Sequence, residues 1–249
     1  MISTLEKEIT FRFLKARKKD GFLNVISIFS FIGISLGVAV LIIVMSVMNG
    51  FRTELINKIV GFNSHVTVKP YSSSIDESKI DNKLNLISKN IIFSNSGEAI
   101  ILKNNNTKGI VLRGYKRNDL LNLEVLTNEK FKGELNQFDK NSISIGSELS
   151  FSLDLEIGDE LTLMSPSGVQ TIIGSMPKQK TFVVNSIFNS GLAEFDNNIA
   201  FIELNVLEEF FGYDPNERNL EIYLKNPNNI ESQKLIVKQV FDDEFVFSW

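Results

Sequence analysis

FLNVISIFSFIGISLGVAVLIIVMSVM, residues 22–48, is the stretch on which the reading of this 249-residue chain turns. It lies in a run free of Asp, Glu, Lys and Arg that begins at Gly21 and ends only at Arg52. At about 1.5 Å of rise per residue, a helix of that length measures roughly 40 Å, more than the ~30 Å hydrocarbon core of a bilayer. A soluble core helix so long would carry a polar face, and this stretch has none. The sequence therefore predicts a transmembrane helix.

The flanks give the orientation. Lys7, Arg12, Lys15, Arg17, Lys18 and Lys19 precede the span, whereas only Arg52 and Lys58 follow it before Gly61. The excess of positive charge predicts a cytoplasmic N-terminus and an extracytoplasmic remainder. The apolar run is longer than the 7–15 residues of a signal-peptide core and no A-x-A-like site follows it, which favours an uncleaved anchor. Gly33 and Gly37 form a G-x-x-x-G pair with Ser30 on the same helical face, a pattern that lets a second helix approach closely. Isolated glycines are also common in membrane helices, so the pair has that plainer reading beside it.

Upstream, Leu5, Ile9, Phe13 and Leu14 stand at roughly helical spacing beside Lys7, Arg12 and Lys15, as in an amphipathic helix lying in the inner interface. The plainer alternative is a basic flank that sets topology without a helix. Downstream, Leu55, Ile56 and Ile59 predict that the membrane helix continues to about Val60 as a stalk. The expected organisation is thus an interfacial segment over 1–20, a membrane helix over 21–49 and an outer domain over 50–249.

Some 200 residues are enough for one large outer domain or two small ones. The formal net charge is -4 although the first 20 residues are net positive, so the outer part is acidic and a nucleic-acid partner is not expected. With no cysteine, its stability must come from packing rather than disulfides.

Strand and helix patterns alternate along this outer part. HVTVKPY (65–71) reads as a strand, and Ile80, Leu84, Ile87 and Ile91 read as one amphipathic helix. EAIILK (98–103) and GIVLRGY (109–115) form a hairpin, and 119–126 a short helix. SISIGSELSFSLDLEIGDELTLMSP (142–166) is strand, glycine, short helix, Gly158-Asp159 turn and strand. Further strands are expected at 180–188, 198–204, 219–225 and 245–249, with helices at 205–211 and 230–240. The fold class is membrane-anchored α+β, with a mixed α/β domain of two split subdomains. Between two of these strands, SPSGVQTIIGSMPKQK (165–180) has turn residues at both ends and apolar Val169, Ile172, Ile173 and Met176 between. These either fold onto the core or form an exposed docking tip.

Catalytic signatures are missing. There is no G-x-x-x-x-G-K-[ST] and no H-E-x-x-H; the G-x-S-x-G of Gly33 to Gly37 lies inside the apolar helical run and not at a strand-to-helix turn, and His65 is the sole histidine, so a His-based triad or zinc site is excluded. His65 reads as structural, and Asp242, Asp243 and Glu244 as a solvated turn. No enzyme activity, cofactor or metal is expected.

The run FRFLKARKKDGFLNVISIFSFIGISLGVAVLIIVMSVMNGF (11–51) resembles the first transmembrane segment of the lipoprotein-releasing ABC transporter permeases, the LolC/LolE family, most specifically in SFIGISLGVAVLI and SVMNGF. IGSELSFSLDLEIGDELTLMSP (145–166) looks like the signature of the periplasmic domain shared with MacB-type permeases. The resemblance implies a permease subunit of a bacterial inner membrane, non-catalytic itself, that pairs with a second permease subunit and with a cytoplasmic ABC ATPase (LolD-like). Such a complex extracts triacylated lipoproteins from membrane lipids and passes them to the periplasmic chaperone LolA. The resemblance further implies a chaperone-gripping Hook at Gln170, Thr171, Ile172, Ile173, Gly174, Ser175, Met176 and Pro177, with a Pad at Gln179 and Lys180, a LolC-like trait. It places helix packing and a lipid gate along Gly33, Gly37, Val40, Val44 and Met48. Family members carry three further membrane helices beyond the point matching Trp249, so the sequence is expected to be the N-terminal part of such a permease. Two alternatives differ in class: a MacB-like or FtsX-like mechanotransmission subunit acting on a periplasmic partner, and a single-pass anchored binding module.

Overall fold

The computed structural model describes residues 4–14, 21–71, 74–103, 106–166, 169–171 and 174–248. The chain divides into two compact units, Met1–Ile56 and Asn57–Trp249. In the first, α1 (Thr4–Leu14) carries exposed Leu5 and Ile9 one helical turn apart. The end of the expected interfacial segment, with Lys15, Arg17, Lys18, Lys19 and Asp20, lies outside the described residues. α2 (Gly21–Phe62) is a single helix of 42 residues, covering the predicted span and its extension past Val60; its last residues belong to the second unit. No proline interrupts it, so the backbone ladder continues through Gly33, Gly37 and Gly50. Inside α2, Val25–Glu54 contains an 18-residue window with a mean hydropathy of 2.8, and none of that window is buried.

The second unit is built from β1 (Val66–Lys69), α3 (Asn82–Ile87), β2 (Ser88–Lys103), β3 (Asn106–Tyr115), α4 (Arg117–Leu120), β4 (Lys132–Gly133), β5 (Ser142–Gly146) and α5 (Ser147–Leu153). There follow β6 (Glu160–Met164), β7 (Val169–Thr171), β8 (Gly174–Met176), β9 (Gln179–Phe188), α6 (Ala193–Asn198), β10 (Ile199–Glu203), α7 (Leu204–Phe211), β11 (Asn219–Leu224), α8 (Ile230–Val240) and β12 (Phe245–Ser248). Ten strands hydrogen-bond in the order β12-β1-β11-β2-β3-β10-β5-β9-β4, with β6 joining β2 to β9.

That last pairing closes β2, β3, β10, β5, β9 and β6 into a barrel. Side chains on alternate positions of each strand point inward: Ala99 and Ile101, Ile110 and Leu112, Ile143 and Ile145, Leu161 and Leu163, Phe182 and Val184, Ala200 and Ile202. α5 contributes Leu149 and Leu153 to this core, and α7 contributes Val206, Leu207 and Phe210. Each of the larger side chains contributes roughly 1.5–3 kcal/mol by its burial. The other part of the sheet is open. Val66, Val68, Leu220, Ile222 and Leu224 pack there against Leu84 of α3 and Val237 of α8. A third core, of Phe62, Tyr115, Phe138, Phe188 and Phe201 among others, lies on the same sheet, and β2 is shared, pairing β11 with its first half and β6 with its last residues.

Local chemistry explains the boundaries. Asp81 caps α3 by accepting from the backbone N–H of Lys83 and Leu84. Asp154, in the left-handed region at φ 48°, ends α5. Gly146 abuts α6 so closely that a Cβ would collide with the Asp196 carbonyl, which is why the turn from β5 into α5 takes glycine.

The structure corrects three local expectations. Ile91 does not continue a helix with Ile80, Leu84 and Ile87; it lies in β2, opposite Ile222 of β11, because α3 stops at Ser88 and Ile91, Ile92 and Phe93 favour pairing. The segment 119–126 is split between α4 and a 3-10 turn, Glu124–Leu126. α6 was not anticipated: AEFDNN has no apolar period, and the Asp196 carboxylate instead accepts from the N–H and hydroxyl of Ser190.

Candidate functional site

The ribbon between β6 and β9 is the first candidate. β7 and β8 pair antiparallel, Val169 opposite Met176 and Thr171 opposite Gly174, as a two-stranded sheet separate from the barrel. Its base continues the β6–β9 ladder, which ends at the Met164 and Gln179 pair, and the Ser165 N–H donates to the Lys178 carbonyl at 2.9 Å. Lys178 Nζ donates to the Glu209 carbonyl of α7 at 2.6 Å. Packing into the barrel thereby anchors the base, while Met176 is 59% exposed and Pro177 is exposed.

Of the expected Hook residues, Gln170, Thr171, Gly174, Ser175 and Met176 fall on the two strands and Pro177 directly after them. Ile172 and Ile173 lie outside the described residues. The expected Pad residues open β9: Gln179 is exposed, its side-chain amide 3.9 Å from Met164 Sδ, and Lys180 Nζ sits 5.3 Å from the centre of the Phe182 ring. Gln179 and Lys180 thus follow the ribbon directly, at the end of the β6–β9 ladder.

The second candidate is a face of α2. Gly33, Gly37, Val40, Val44 and Met48 are spaced by three or four residues and so share one side of the helix. A Cβ added at Gly33 or Gly37 would meet nothing within 4 Å, and Val40, Val44 and Met48 are 49%, 54% and 61% exposed.

The third feature was not foreseen from the sequence. Glu221 of β11, 6% exposed, accepts from Ser94 of β2 at 2.6 Å, Arg113 of β3 at 3.1 Å, Tyr115 at 3.0 Å and Tyr223 at 3.0 Å. Arg113 also donates to Asn63 Oδ1 at 3.0 Å, and its guanidinium lies 5.5 Å from the Phe62 ring centre. Burial opposes the Arg113 charge, but Tyr115 and Glu221 outweigh it and hold the guanidinium above its ordinary value. Burial pushes both phenols well above the usual tyrosine range; Glu221 adds to this and Arg113 opposes it. Strand alternation alone assigns Arg113 and Glu221 to solvent, opposite Leu112 and Ile222. The available signal was the matching pattern Arg113-x-Tyr115 and Glu221-x-Tyr223, two opposite charges each followed by tyrosine on the same strand face.

The model for the MacB-like periplasmic core domain matches residues 27–237. The chain belongs to that family. Among curated relatives, the lipoprotein-releasing system transmembrane protein LolC of Xylella fastidiosa is 26% identical over 219 residues, covering 86% of this chain and 53% of that protein. LolC of Neisseria meningitidis serogroup B is 27% identical over 240 residues, 91% of this chain and 56% of that protein, and LolE of Haemophilus influenzae is 25% identical over 228 residues, 88% and 55%. The chain thus spans about half the length of the curated relatives it matches. The crystal structure of the periplasmic region of MacB from Actinobacillus actinomycetemcomitans aligns with 76% of this chain and 91% of its own, at 12% identity and a TM-score of 0.46.

Within this MacB-like domain the remaining polar candidates are structural. His65, 6% exposed, accepts at Nδ1 from the Leu224 N–H at 2.6 Å, so its proton sits on Nε2, which has no hydrogen-bond partner among the described residues. Burial lowers its pKa, with Glu124 opposing. Lys79 pairs with Asp242 at 3.7 Å, and Glu244 accepts from the Tyr71 N–H at 2.6 Å. Among the described residues no group of three or more His, Cys, Asp or Glu could hold a metal ion.

Proposed function

We propose that this MacB-like chain is the N-terminal part of an ABC transporter permease that releases lipoproteins from a bacterial inner membrane and passes them to a periplasmic chaperone. Relatives named as lipoprotein-releasing transmembrane proteins supply the class of activity. The observation that carries the handover is the ribbon of β7 and β8, anchored at its base by the barrel and exposing Met176 where a partner could take hold. Ile172 and Ile173, which lie between β7 and β8 in the sequence, are the residues we assign to the apolar contact with the chaperone.

In this reading residues 1–20 lie at the cytoplasmic interface, 21–49 cross the membrane and 50–249 form the periplasmic domain. The chain is non-catalytic; ATP hydrolysis belongs to a separate LolD-like ATPase, and a second permease subunit packs on the face of Gly33 and Gly37. Val40, Val44 and Met48 line the path of the acyl chains, and Gln179 and Lys180 form the polar surface beside the ribbon.

The combined substitution Ile172→Asp and Ile173→Asp is expected to abolish capture of the chaperone LolA by the full chain, with carbonate-resistant membrane association unchanged. Capture equal to that of the unaltered chain would defeat the ribbon reading. Because the family match is to a MacB-like domain, mechanotransmission to a different periplasmic partner is the second reading, and it predicts no LolA capture by either chain.

A further inference from the structure

The cluster around Glu221 gathers three neighbouring strands, β11, β2 and β3, onto one carboxylate, and through Arg113 it reaches the last turn of α2. We infer that Arg113, held by Glu221, is the joint that positions the end of α2 on the sheet. The inference concerns residues 57–249 alone and stands whatever the ribbon binds.

Geometry supports it first. A guanidinium is a flat fork with fixed donor directions, so holding it at two points fixes its plane. Nη2 donates to Glu221 and Nη1 to Asn63, one residue beyond α2, while the plane lies near the Phe62 ring at the helix end. Phe62 is 3% exposed and stacks on Phe195 at 4.6 Å, with Phe201 and Phe188 at 6.0 and 6.3 Å. Aromatic packing alone would bury the helix end. The fork adds direction to that burial.

Electrostatics supports it next. The C-terminal end of a helix carries partial negative charge, and a cation there is stabilising. α2 has no basic residue in its last turn, and Arg113 from β3 lies beside that end. The carboxylate is itself immobilised, because Tyr115 and Tyr223 reach it from positions two residues beyond Arg113 and Glu221, and Ser94 reaches it from the strand between.

Energetics points the same way. The Arg113 and Glu221 side chains are only 12% and 8% exposed, and desolvation cancels most of the stability that a buried ion pair could add. Apolar residues of similar volume would stabilise the fold about as well. They would not orient a helix end.

Hydrogen exchange on the full chain in detergent, read amide by amide, tests the joint. Asn63→Ala removes the contact to the helix end and leaves the ion pair intact. Its expected result is at least tenfold faster exchange at amides 59–64, with the barrel amides of Leu112 and Ile202 unchanged. Arg113→Lys keeps the charge but loses the fork, and is expected to do the same. Unchanged exchange at 59–64 in Asn63→Ala, or acceleration spread equally into the barrel, would overturn the inference. Glu221→Gln can unfold the domain by leaving Arg113 buried without its counter-charge, so Asn63→Ala is the deciding variant.

Discussion

The membrane helix and the barrel draw on the same residue types, Ile, Val, Leu and Phe, and treat them in opposite ways. Along α2, Ile28, Phe29, Leu36 and Met45 are 50%, 71%, 64% and 68% exposed. In the barrel, Ile145, Leu163, Phe182 and Ile202 are wholly buried. Periodicity makes the difference. A strand that alternates apolar with polar residues has an inner face to bury and an outer face for water, whereas a helix apolar all round has no face that water tolerates. Apolar surface that its own unit leaves uncovered requires another solvent, and an unbroken helix satisfies its own backbone hydrogen bonds in lipid.

The contrast can be broken from either side. Replacing Leu36 and Ile43 by Arg should have the largest effect, about 2.5–3.5 kcal/mol for each charge near the helix centre. The chain should leave the carbonate-resistant membrane fraction while residues 57–249 keep their protease resistance; full retention in the membrane would show that α2 is not held by lipid. In the other unit, Phe201→Ala opens the cluster of Phe62, Tyr115 and Phe188, and should destabilise the domain by about 3–5 kcal/mol in chemical denaturation without altering membrane association. A loss below about 1 kcal/mol would mean that the cluster collapses around the gap.

The smallest effect concerns pH. His65 has its pKa lowered below the ordinary 6.5, chiefly by burial, so between 6.5 and the folded value the unfolded chain binds the extra proton. Stability should therefore fall as pH drops through about 6.5. His65→Asn, which keeps an acceptor for the Leu224 N–H, should flatten that part of the profile. An equally steep fall in the variant would assign the dependence to other groups.

Much of this was legible in advance because it is local. The long apolar run of α2, the alternation that gives β5, β6, β9 and β10, and the helix of 230–240 all follow from spacing within a single segment. Ile91 misled because an i, i+4 step from Ile87 fits a helix equally well, and only its partner Ile222 in β11 decides for a strand. The ribbon could be placed by its flanking turns, but its anchoring depends on Lys178 finding a carbonyl of α7, distant in sequence.

The sequence by itself determined that one segment is long and apolar enough to cross a bilayer, because a helix apolar all round presents no face suited to water. It also determined which residues of each strand share a face. Barrel closure was a decision of the tertiary structure, since it depends on β6 finding both β2 and β9. So was the burial of Arg113 and Glu221 together: a lone charge on a strand belongs in water, and only the meeting of three strands and a helix end supplies the partners that let it stay inside.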